Sequence, residues 1–291
     1  MMTSEGCPVL EDSSPTVQTT MNSEDESRKW YSVQWADFKL SCERLKDVSS
    51  KHPRIPLWLY ALYRFALAAY FFVVWLTFVT LQAETQGPKF LIYFPVWTYT
   101  ATTGYLCFAF FNTLMDFVKS RKNAAFEDKF RYQIQWLLFN ITAAPTLFVT
   151  ALDWGVLYYL VYAKVPIFIY VSIGLLPAVV CLSEIFLTLI VVRFVHVWYS
   201  YLYMTIFLLF AVSYWAAGEM DTFISPNLDF QSQPGIAAAT VVGVTFAVLL
   251  AQAILKGLYA LRVRCMDRRR TETVPSKTEE VSPTELEALT A

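Results

Sequence analysis

The chain has 291 residues, of which 56% are hydrophobic, 17% aromatic and 16% charged, and its mean hydropathy is +0.42. A soluble globular protein of this length needs more polar surface than this composition supplies, so the composition excludes that class and indicates an integral membrane protein. The formal net charge of -1 gives no basis for binding nucleic acid, and we predict no nucleic-acid partner.

The residues before the first apolar run form two predicted segments. Residues 1–29 are rich in Ser, Thr and Glu and lack the apolar core of a secretory signal peptide, so we predict a disordered acidic tail. Residues 30–56 form a juxtamembrane segment whose apolar residues recur at helical spacing. These residues are Trp35, Phe38, Cys42 and Leu45. The spacing fits either a short amphipathic helix on the inner face of the membrane or an aromatic-rich linker.

Apolar runs long enough to cross a bilayer then recur along the chain, since an apolar helix needs about 20 residues to span the hydrocarbon core. The runs are residues 57–81, 90–118, 132–152, 165–192, 198–217 and 236–261. A shorter apolar piece at residues 154–162 is interpreted as interfacial rather than spanning. The sequence therefore predicts an all-α bundle of six transmembrane helices.

The predicted transmembrane domain occupies residues 57–262, and residues 263–291 follow it. The first part of this last segment is basic, whereas residues 271–291 are acidic and polar, so we predict a disordered tail. Cys265 lies just past the last span, where reversible palmitoylation of cysteine occurs. The five cysteines show no metal-ligand spacing, and we predict neither a metal site nor a cofactor.

Lysine and arginine are concentrated in alternate connections, which predicts the orientation of the chain. They cluster before the first span, between the second and third, and after the sixth. These residues are Lys39, Arg44, Lys46, Lys51, Arg54, Lys119, Arg121, Lys122, Lys129, Arg131, Arg262, Arg264, Arg268, Arg269 and Arg270, with Arg193 between the fourth and fifth spans. The connection after the first span contains only Lys89, and the connection after the third contains only Lys164. The connection after the fifth span contains neither lysine nor arginine. Because basic connections remain in the cytosol, we predict that both termini are cytosolic.

Arg64 lies inside the first apolar run, about 10 Å from its cytosolic end at the helical rise of about 1.5 Å per residue. By the same rise Glu184 lies about 13 Å from that face, and Asn140, Asn112 and Lys256 lie at comparable depths. Charges in lipid are costly and normally pair or face water. We therefore predict that Arg64 and Glu184 contact each other or share a partner, within one polar cluster of all five residues in the inner half of the bundle.

The role of this cluster remains open between two interpretations. The Arg64–Glu184 pair is either a structural ion pair or a ligand-contacting or proton-handling group. Lys256 can instead extend its ammonium to the membrane surface, and Asn112 can simply bond a neighbouring helix.

Three stretches within residues 33–262 resemble segments of known proteins. They are "VQWADFKL" with "PLWLYALYRFALAAYFF", "YFPVWTYTATTGYLCFAF", and "HVWYSYLYMTIFLLFAVSYWAAGE" followed by "ISPNLDF". The residues that carry the resemblance are Tyr63, Arg64, Trp97, Tyr214, Trp215, Gly218 and Asp229. The chain thus resembles the rolling-stone family of animal multi-span proteins, which implies a six-span protein similar to one linked to myoblast fusion in insects.

The rolling-stone family is in turn distantly similar to the androgen-induced family of intramembrane hydrolases, which cleave fatty-acid esters with a threonine and a histidine. Here Pro95 falls at the expected threonine position, and the fourth span has no histidine. The nearest substitutes, Thr98 and His196, are predicted to lie half or more of a ~30 Å hydrocarbon core apart, whereas such a pair must approach to ~3 Å. His52 is predicted to be cytosolic. We therefore predict that this catalytic pair is missing.

Three functions follow as hypotheses. We favour a non-enzymatic membrane protein that acts in cell-surface interaction or cell fusion, at the plasma membrane or otherwise an endomembrane, with the lipid bilayer and another membrane protein as partners. The alternatives are an intramembrane hydrolase of fatty-acid esters and a small carrier or channel built on the Arg64–Glu184 cluster. A carrier has less support because no internal repeat is evident in the chain.

Overall fold

The structure is a computed structural model that describes residues 55–121, 129–152, 168, 171–188, 190–216 and 234–273. The described chain is almost entirely helical, and each predicted span contains one α-helix. The helices are α1 (Leu57–Gln86), α2 (Phe94–Arg121), α3 (Lys129–Leu152), α4 (Leu176–Leu187), α5 (Val197–Ala216) and α6 (Pro234–Thr273). The predicted all-α fold is confirmed.

Four stretches are long and apolar enough to cross a membrane: Leu57–Glu84, Lys129–Leu152, Phe194–Tyr214 and Pro234–Cys265. They correspond to four of the six predicted spans. Helix α2 is long enough, with 28 residues, but its threonines, Asn112 and Asp116 lower its hydropathy. The fourth predicted span differs for another reason, which is its length.

The hydroxyls of the four buried threonines of α2 are satisfied within the protein. The hydroxyls of Thr98, Thr102, Thr103 and Thr113 each donate to the backbone carbonyl four residues earlier, at 2.9–3.1 Å. All four threonines are buried. A helix whose hydroxyls are bonded in this way can be enclosed by other helices without water.

The fourth span was predicted at residues 165–192, and the structure corrects this prediction. A π-helical turn, Val171–Leu175, leads into the 12-residue helix α4, which ends at Leu187. Thr188 has extended backbone angles, and a 3-10 turn at Phe194–His196 leads into α5. The sequence that follows Leu187 explains this end, because Thr188 and residues 190–192 are all β-branched and such side chains favour extended backbone over helix.

Helix α3 lies at the centre of the described bundle. It contacts α2, α4, α5 and α6, whereas α1 packs mainly on α2. Accordingly, 56% of an 18-residue apolar stretch of α3 is buried, compared with 11% of the corresponding stretch of α1. The core around α3 contains Trp136 and Phe139, and Ala143 and Ala144 allow neighbouring helices to approach closely.

The outward surface of α1 is rich in exposed apolar side chains. They include Trp58, Leu62, Phe65, Phe72 and Val73. Large apolar side chains on the outside suit an environment of lipid rather than water.

Helix α1 ends at Gln86, and the next residue, Gly87, adopts φ 59 and donates its N–H to the carbonyl of Ala83. A left-handed φ of this kind favours glycine over any residue with a Cβ atom.

Some predictions concern residues that the structure describes only in part or not at all. The N-terminal tail, nearly all of the juxtamembrane segment 30–56 and the apolar piece 154–162 lie outside the described residues. Helix α6 continues from the predicted transmembrane domain, residues 57–262, into the basic segment and ends at Thr273. Arginine is a good helix former and its charge is favourable near a helix C-terminus, which explains this extension through the basic segment.

Candidate functional site: a buried charged centre

Arg64 on α1 and Glu184 on α4 form a buried ion pair. Nη2 of Arg64 lies 2.5 Å from Oε2 of Glu184, and the two side chains are 1% and 0% exposed. The predicted contact between these residues is therefore confirmed. The hydroxyl of Tyr105 on α2 donates to the same Oε2 at 2.8 Å. Three helices thus meet at one carboxylate.

Tyr60 completes this arrangement from one turn earlier on α1. Its hydroxyl oxygen accepts hydrogen bonds from Nε and Nη2 of Arg64, at 3.0 and 2.7 Å. The guanidinium also lies over the Tyr60 ring, 5.1 Å from the ring centroid. We call Tyr60, Arg64, Tyr105 and Glu184 the charged centre.

A second contact holds α1 against α4 beside the charged centre. The hydroxyls of Tyr63 and Ser183, which directly precede Arg64 and Glu184 in the chain, form a hydrogen bond at 3.2 Å. The ring of Tyr105 packs against Phe139 of α3, with centroids 5.7 Å apart. The helices around the pair are therefore fixed by groups other than the charges themselves.

Two atoms of the charged centre are left without hydrogen bonds. Within the part of the chain that the structure describes, neither Nη1 of Arg64 nor Oε1 of Glu184 has a partner. A buried polar atom without a partner is costly, and more so on a charged group. The centre thus retains one buried N–H donor and one buried carboxylate acceptor without a described partner.

Asn112 belongs to a different group of residues, at the facing ends of α2 and α3. Its amide nitrogen donates to Oε1 of Gln135 at 2.8 Å and to the carbonyl of Arg131 at 3.3 Å. Arg131 forms an ion pair with Asp116 at 3.1 Å, and Tyr132 donates to the same carboxylate at 2.8 Å. We call these five residues the Asn112 network.

Asn140 and Lys256 make contacts with other residues of the bundle. The amide nitrogen of Asn140 donates to the carbonyl of Trp136 at 2.8 Å, and its backbone carbonyl accepts from Ser200 of α5 at 2.7 Å. Lys256 is half-buried, with its ammonium 5.1 Å from the ring centroid of Tyr259. The five predicted residues therefore take part in several different contacts, and the hydrogen bonds described for Asn112 and Asn140 join them to residues other than Arg64 and Glu184. Equal depth does not place side chains together when they point from different faces of different helices.

The connection between α4 and α5 lies next to the charged centre, and side chains from other helices bond its carbonyls. The indole of Trp136 donates to the carbonyl of Val191 at 2.9 Å, and Gln252 donates to that of Arg193 at 2.9 Å. Nη1 of Arg262 donates to the carbonyls of Ile185 and Thr188, at 2.6 and 2.5 Å. Non-helical backbone inside a membrane protein is tolerated when its polar groups are bonded in this way.

Thr98 and His196, the two residues that could substitute for a threonine–histidine pair, lie beside opposite ends of α3. Thr98 lines a small cavity with Val149 and Thr150 near the end of α3. His196 packs against Trp136 near its beginning, with ring centroids 5.0 Å apart. The rise of about 1.5 Å per residue puts the two sites about 20 Å apart.

The remaining candidates have simpler settings. Thr98 donates its hydroxyl to the carbonyl of Phe94, in the turn that contains Pro95. Cys265 is an exposed free cysteine on α6. His52 lies outside the described residues. Within the described ranges, no group of three or more His, Cys, Asp or Glu side chains is placed to hold a metal ion.

Sequence reasoning missed several residues of these sites. Tyr60 could have been predicted, because a residue four positions before a buried arginine lies on the same helix face. Tyr105, Asp116 and Gln135 had no such signal, since their partners come from other parts of the chain. Arg262 was interpreted only as a charge that sets the orientation, although it is buried and bonded to α4.

The apolar helices and the charged centre define a class, the helical membrane proteins with an ion pair buried between their helices. Within that class, the family model described as "Protein rolling stone" matches residues 31–278. The chain belongs to the rolling stone family, as the resemblance of its first, second and fifth spans predicted. A search of curated proteins and a search of solved structures each found no match.

Proposed function

We propose that this protein is a six-span plasma-membrane protein that acts without enzymatic chemistry in cell-surface interaction or cell fusion. The observation that carries the proposal is family membership over residues 31–278, in a family that the resemblance links to myoblast fusion. The geometry supports the non-enzymatic part, because Thr98 on α2 and His196 before α5 pack beside opposite ends of α3. The partners proposed are the lipid bilayer and another membrane protein.

Contacts at one end of the bundle support the six-span topology. The beginning of α1 meets the end of α4 through Arg64 and Glu184. The end of α2 meets the beginning of α3 through the Asn112 network. Arg262, toward the end of α6, meets the end of α4. The basic residues of these segments collect at this same end, which we assign to the cytosol together with both termini.

Contacts at the other end support the same alternation. The rings of Trp97 and Phe210 have centroids 5.2 Å apart, which joins the beginning of α2 to the later half of α5. The hydroxyl of Thr150, near the end of α3, donates to the carbonyl of Gly174, just before α4, at 2.6 Å. Helices α2 to α5 therefore alternate in direction, as successive membrane spans do.

A cell-fusion assay tests this function. Two cell populations that carry complementary halves of a reporter enzyme are mixed, and either population expresses the protein. We expect more reporter activity than with empty vector, at a surface level measured by biotinylation. Unchanged reporter activity at full surface delivery would contradict the proposal.

Matched loop replacements then locate the active surface. Residues 217–233 connect α5 to α6 and are proposed to face outside, whereas residues 122–128 connect α2 to α3 in the cytosol. We expect a Gly/Ser replacement of the outer connection to abolish the gain in fusion and the same replacement of the inner connection to preserve it. Equal loss from both replacements would count against an outward-facing role.

The hydrolase alternative has a direct test. We expect purified protein to leave a panel of fatty-acid esters of hydroxy fatty acids unhydrolysed, because no described contact brings Thr98 to His196. Ester turnover that is lost in both Thr98→Ala and His196→Ala, but kept in Thr100→Ala, would establish the hydrolase and overturn the non-enzymatic proposal.

A small carrier is a second candidate that one observation favours. The α4–α5 connection is non-helical next to Glu184, and broken helices carry the substrate sites of many transporters. Proteoliposomes loaded with labelled amino acids, sugars or inorganic ions test it. Release above that of protein-free liposomes, reduced by Glu184→Gln, would support a carrier.

A further inference from the structure

We propose that the charged centre is a binding site for one hydroxyl group, which accepts a hydrogen bond from Nη1 of Arg64 and donates one to Oε1 of Glu184. Both atoms are buried, and neither has a partner in the described part of the chain. The proposal does not depend on a role in cell fusion.

The geometry of the ion pair brings the two free atoms close to each other. Nη2 of Arg64 and Oε2 of Glu184 are in contact at 2.5 Å. Nη1 shares a carbon with Nη2, and Oε1 shares a carbon with Oε2. Each free atom is therefore joined through one carbon to an atom of the contact, and the proposed hydroxyl bridges the two.

The chemistry of these atoms selects the class of ligand. The guanidinium only donates and the carboxylate only accepts, so the bridging atom must both accept and donate. Ethers and ester carbonyls cannot donate, and ammonium groups cannot accept. The opposite charges of Arg64 and Glu184 balance each other, so the site favours neither a cation nor an anion. A neutral hydroxyl meets all of these conditions.

Tyr60 and Tyr105 border the proposed site through the other atoms of the ion pair. The Tyr60 hydroxyl oxygen accepts from Nε and Nη2 of Arg64, and the Tyr105 hydroxyl donates to Oε2 of Glu184. Both tyrosines are therefore close to a hydroxyl bound at Nη1 and Oε1.

The hydroxyl can come from two sources, water or the free hydroxyl of a membrane lipid such as a diacylglycerol. Radiolytic hydroxyl labelling in H2-18O tests the first source, because radicals formed from a bound water modify the side chains around it. The protein is kept in phosphatidylcholine nanodiscs, and the labelled residues are identified by mass spectrometry. We expect 18O on Tyr60 and Tyr105, although they are only 2% and 0% exposed.

Phe71 provides the internal control for this labelling. It is 0% exposed, lies two turns further along α1 and packs against Tyr99. We expect Phe71 to remain unlabelled. Replacing both charges, Arg64→Met with Glu184→Met, should reduce labelling of Tyr60 and Tyr105 to the level of Phe71, since apolar residues of similar size can replace a buried pair. Should that variant fail to fold, Arg64→Lys retains the charge but removes the second nitrogen, and the same loss is expected.

A thermal-melting experiment tests the lipid source. Nanodiscs receive either dioleoylglycerol or its O-methyl ether, which has the same chains but cannot donate a hydrogen bond. A rise in the melting midpoint with dioleoylglycerol alone, absent in Arg64→Lys, would identify a lipid hydroxyl as the ligand. The proposal is overturned if Tyr60 and Tyr105 carry no 18O and the two lipids give the same midpoint.

Discussion

Arg64 carries a permanent charge into an apolar helix, and its neighbours explain how the fold accommodates that charge. Glu184 balances it from α4, while Tyr60 occupies two of its N–H groups from the same face of α1. The arginine is therefore compensated both within its own helix and across the bundle. Removing one charge would leave the other buried without its partner, which is much costlier than removing both.

A double-mutant cycle measures this compensation. We expect Arg64→Ala and Glu184→Ala each to destabilise the protein by about 3–5 kcal/mol, and the double variant to be less harmful than the sum. The measurement is folded yield in membranes with the melting midpoint. The exchange Arg64→Glu with Glu184→Arg should restore part of the loss. Leu62→Ala, an exposed position on α1, combined with Glu184→Ala should be additive, and additivity in the Arg64 cycle as well would remove the coupling.

Two tyrosines of α2 give a matched comparison for the hydroxyl at the charged centre. The Tyr105 hydroxyl donates to Glu184, whereas the Tyr99 hydroxyl, also buried, has no partner among the described residues. We expect Tyr105→Phe to cost about 1.5–3 kcal/mol, the range for a bond to a charged group, and Tyr99→Phe to cost nothing or to stabilise. Equal melting midpoints for the two variants would show that the Tyr105 bond contributes nothing to stability.

At the scale of elements, α4 is the shortest of the six described α-helices and is held by contacts from its neighbours. It has only 12 residues, and its end is bonded by Arg262 from α6. Thr188 and residues 190–192, which follow it, are β-branched, and Thr188 has extended backbone angles. The position of Glu184 therefore depends on groups that hold the end of α4 in place, including Arg262.

A comparison of Arg262 with Arg264 distinguishes the bonds that hold the end of α4 from the general effect of basic charge. Both lie on α6, but Arg262 is buried and Arg264 is exposed. We expect Arg262→Gln to lower stability by about 1.5–3 kcal/mol because charge-assisted bonds to Ile185 and Thr188 are lost, and Arg264→Gln to stay near wild type. Thermal melting in nanodiscs checks this. A comparable decrease in both variants would indicate a loss of basic charge rather than of helix capping.

Helical periodicity and depth made much of the fold predictable, including the Arg64–Glu184 contact. Each helix imposes a known rise per residue, so the depth of a charge can be counted from its span end. Depth leaves the direction of a side chain undetermined, which is why Asn112 was assigned to the wrong neighbours. The end of α4 was not predicted because the β-branched run that follows it is also apolar. Hydrophobicity alone does not distinguish such a run from a continuation of the same transmembrane span. Tyr105 was missed because its contact depends on how α2 is rotated against α4.

For the whole molecule, the alternating helix directions and the basic residues at one end predict the orientation in the membrane. We expect tags fused before residue 1 and after residue 291 both to resist protease added to intact cells, and both to be digested once the plasma membrane is permeabilised. Digestion of one tag alone in intact cells would make the number of spans odd and refute the six-span topology.

The bond between Tyr60 and Arg64 has a consequence for the order of events during synthesis. Ser183, the neighbour of Glu184, is 120 residues from Tyr63 in the chain. At about 5–20 residues per second, Arg64 emerges from the ribosome roughly 6–24 s before Glu184 does. Tyr60 has by then already emerged, four residues ahead, and can bond the guanidinium as soon as the first turn of α1 forms. The Tyr60 hydroxyl is therefore the partner available to Arg64 in the nascent chain while the rest of the bundle is still being synthesised.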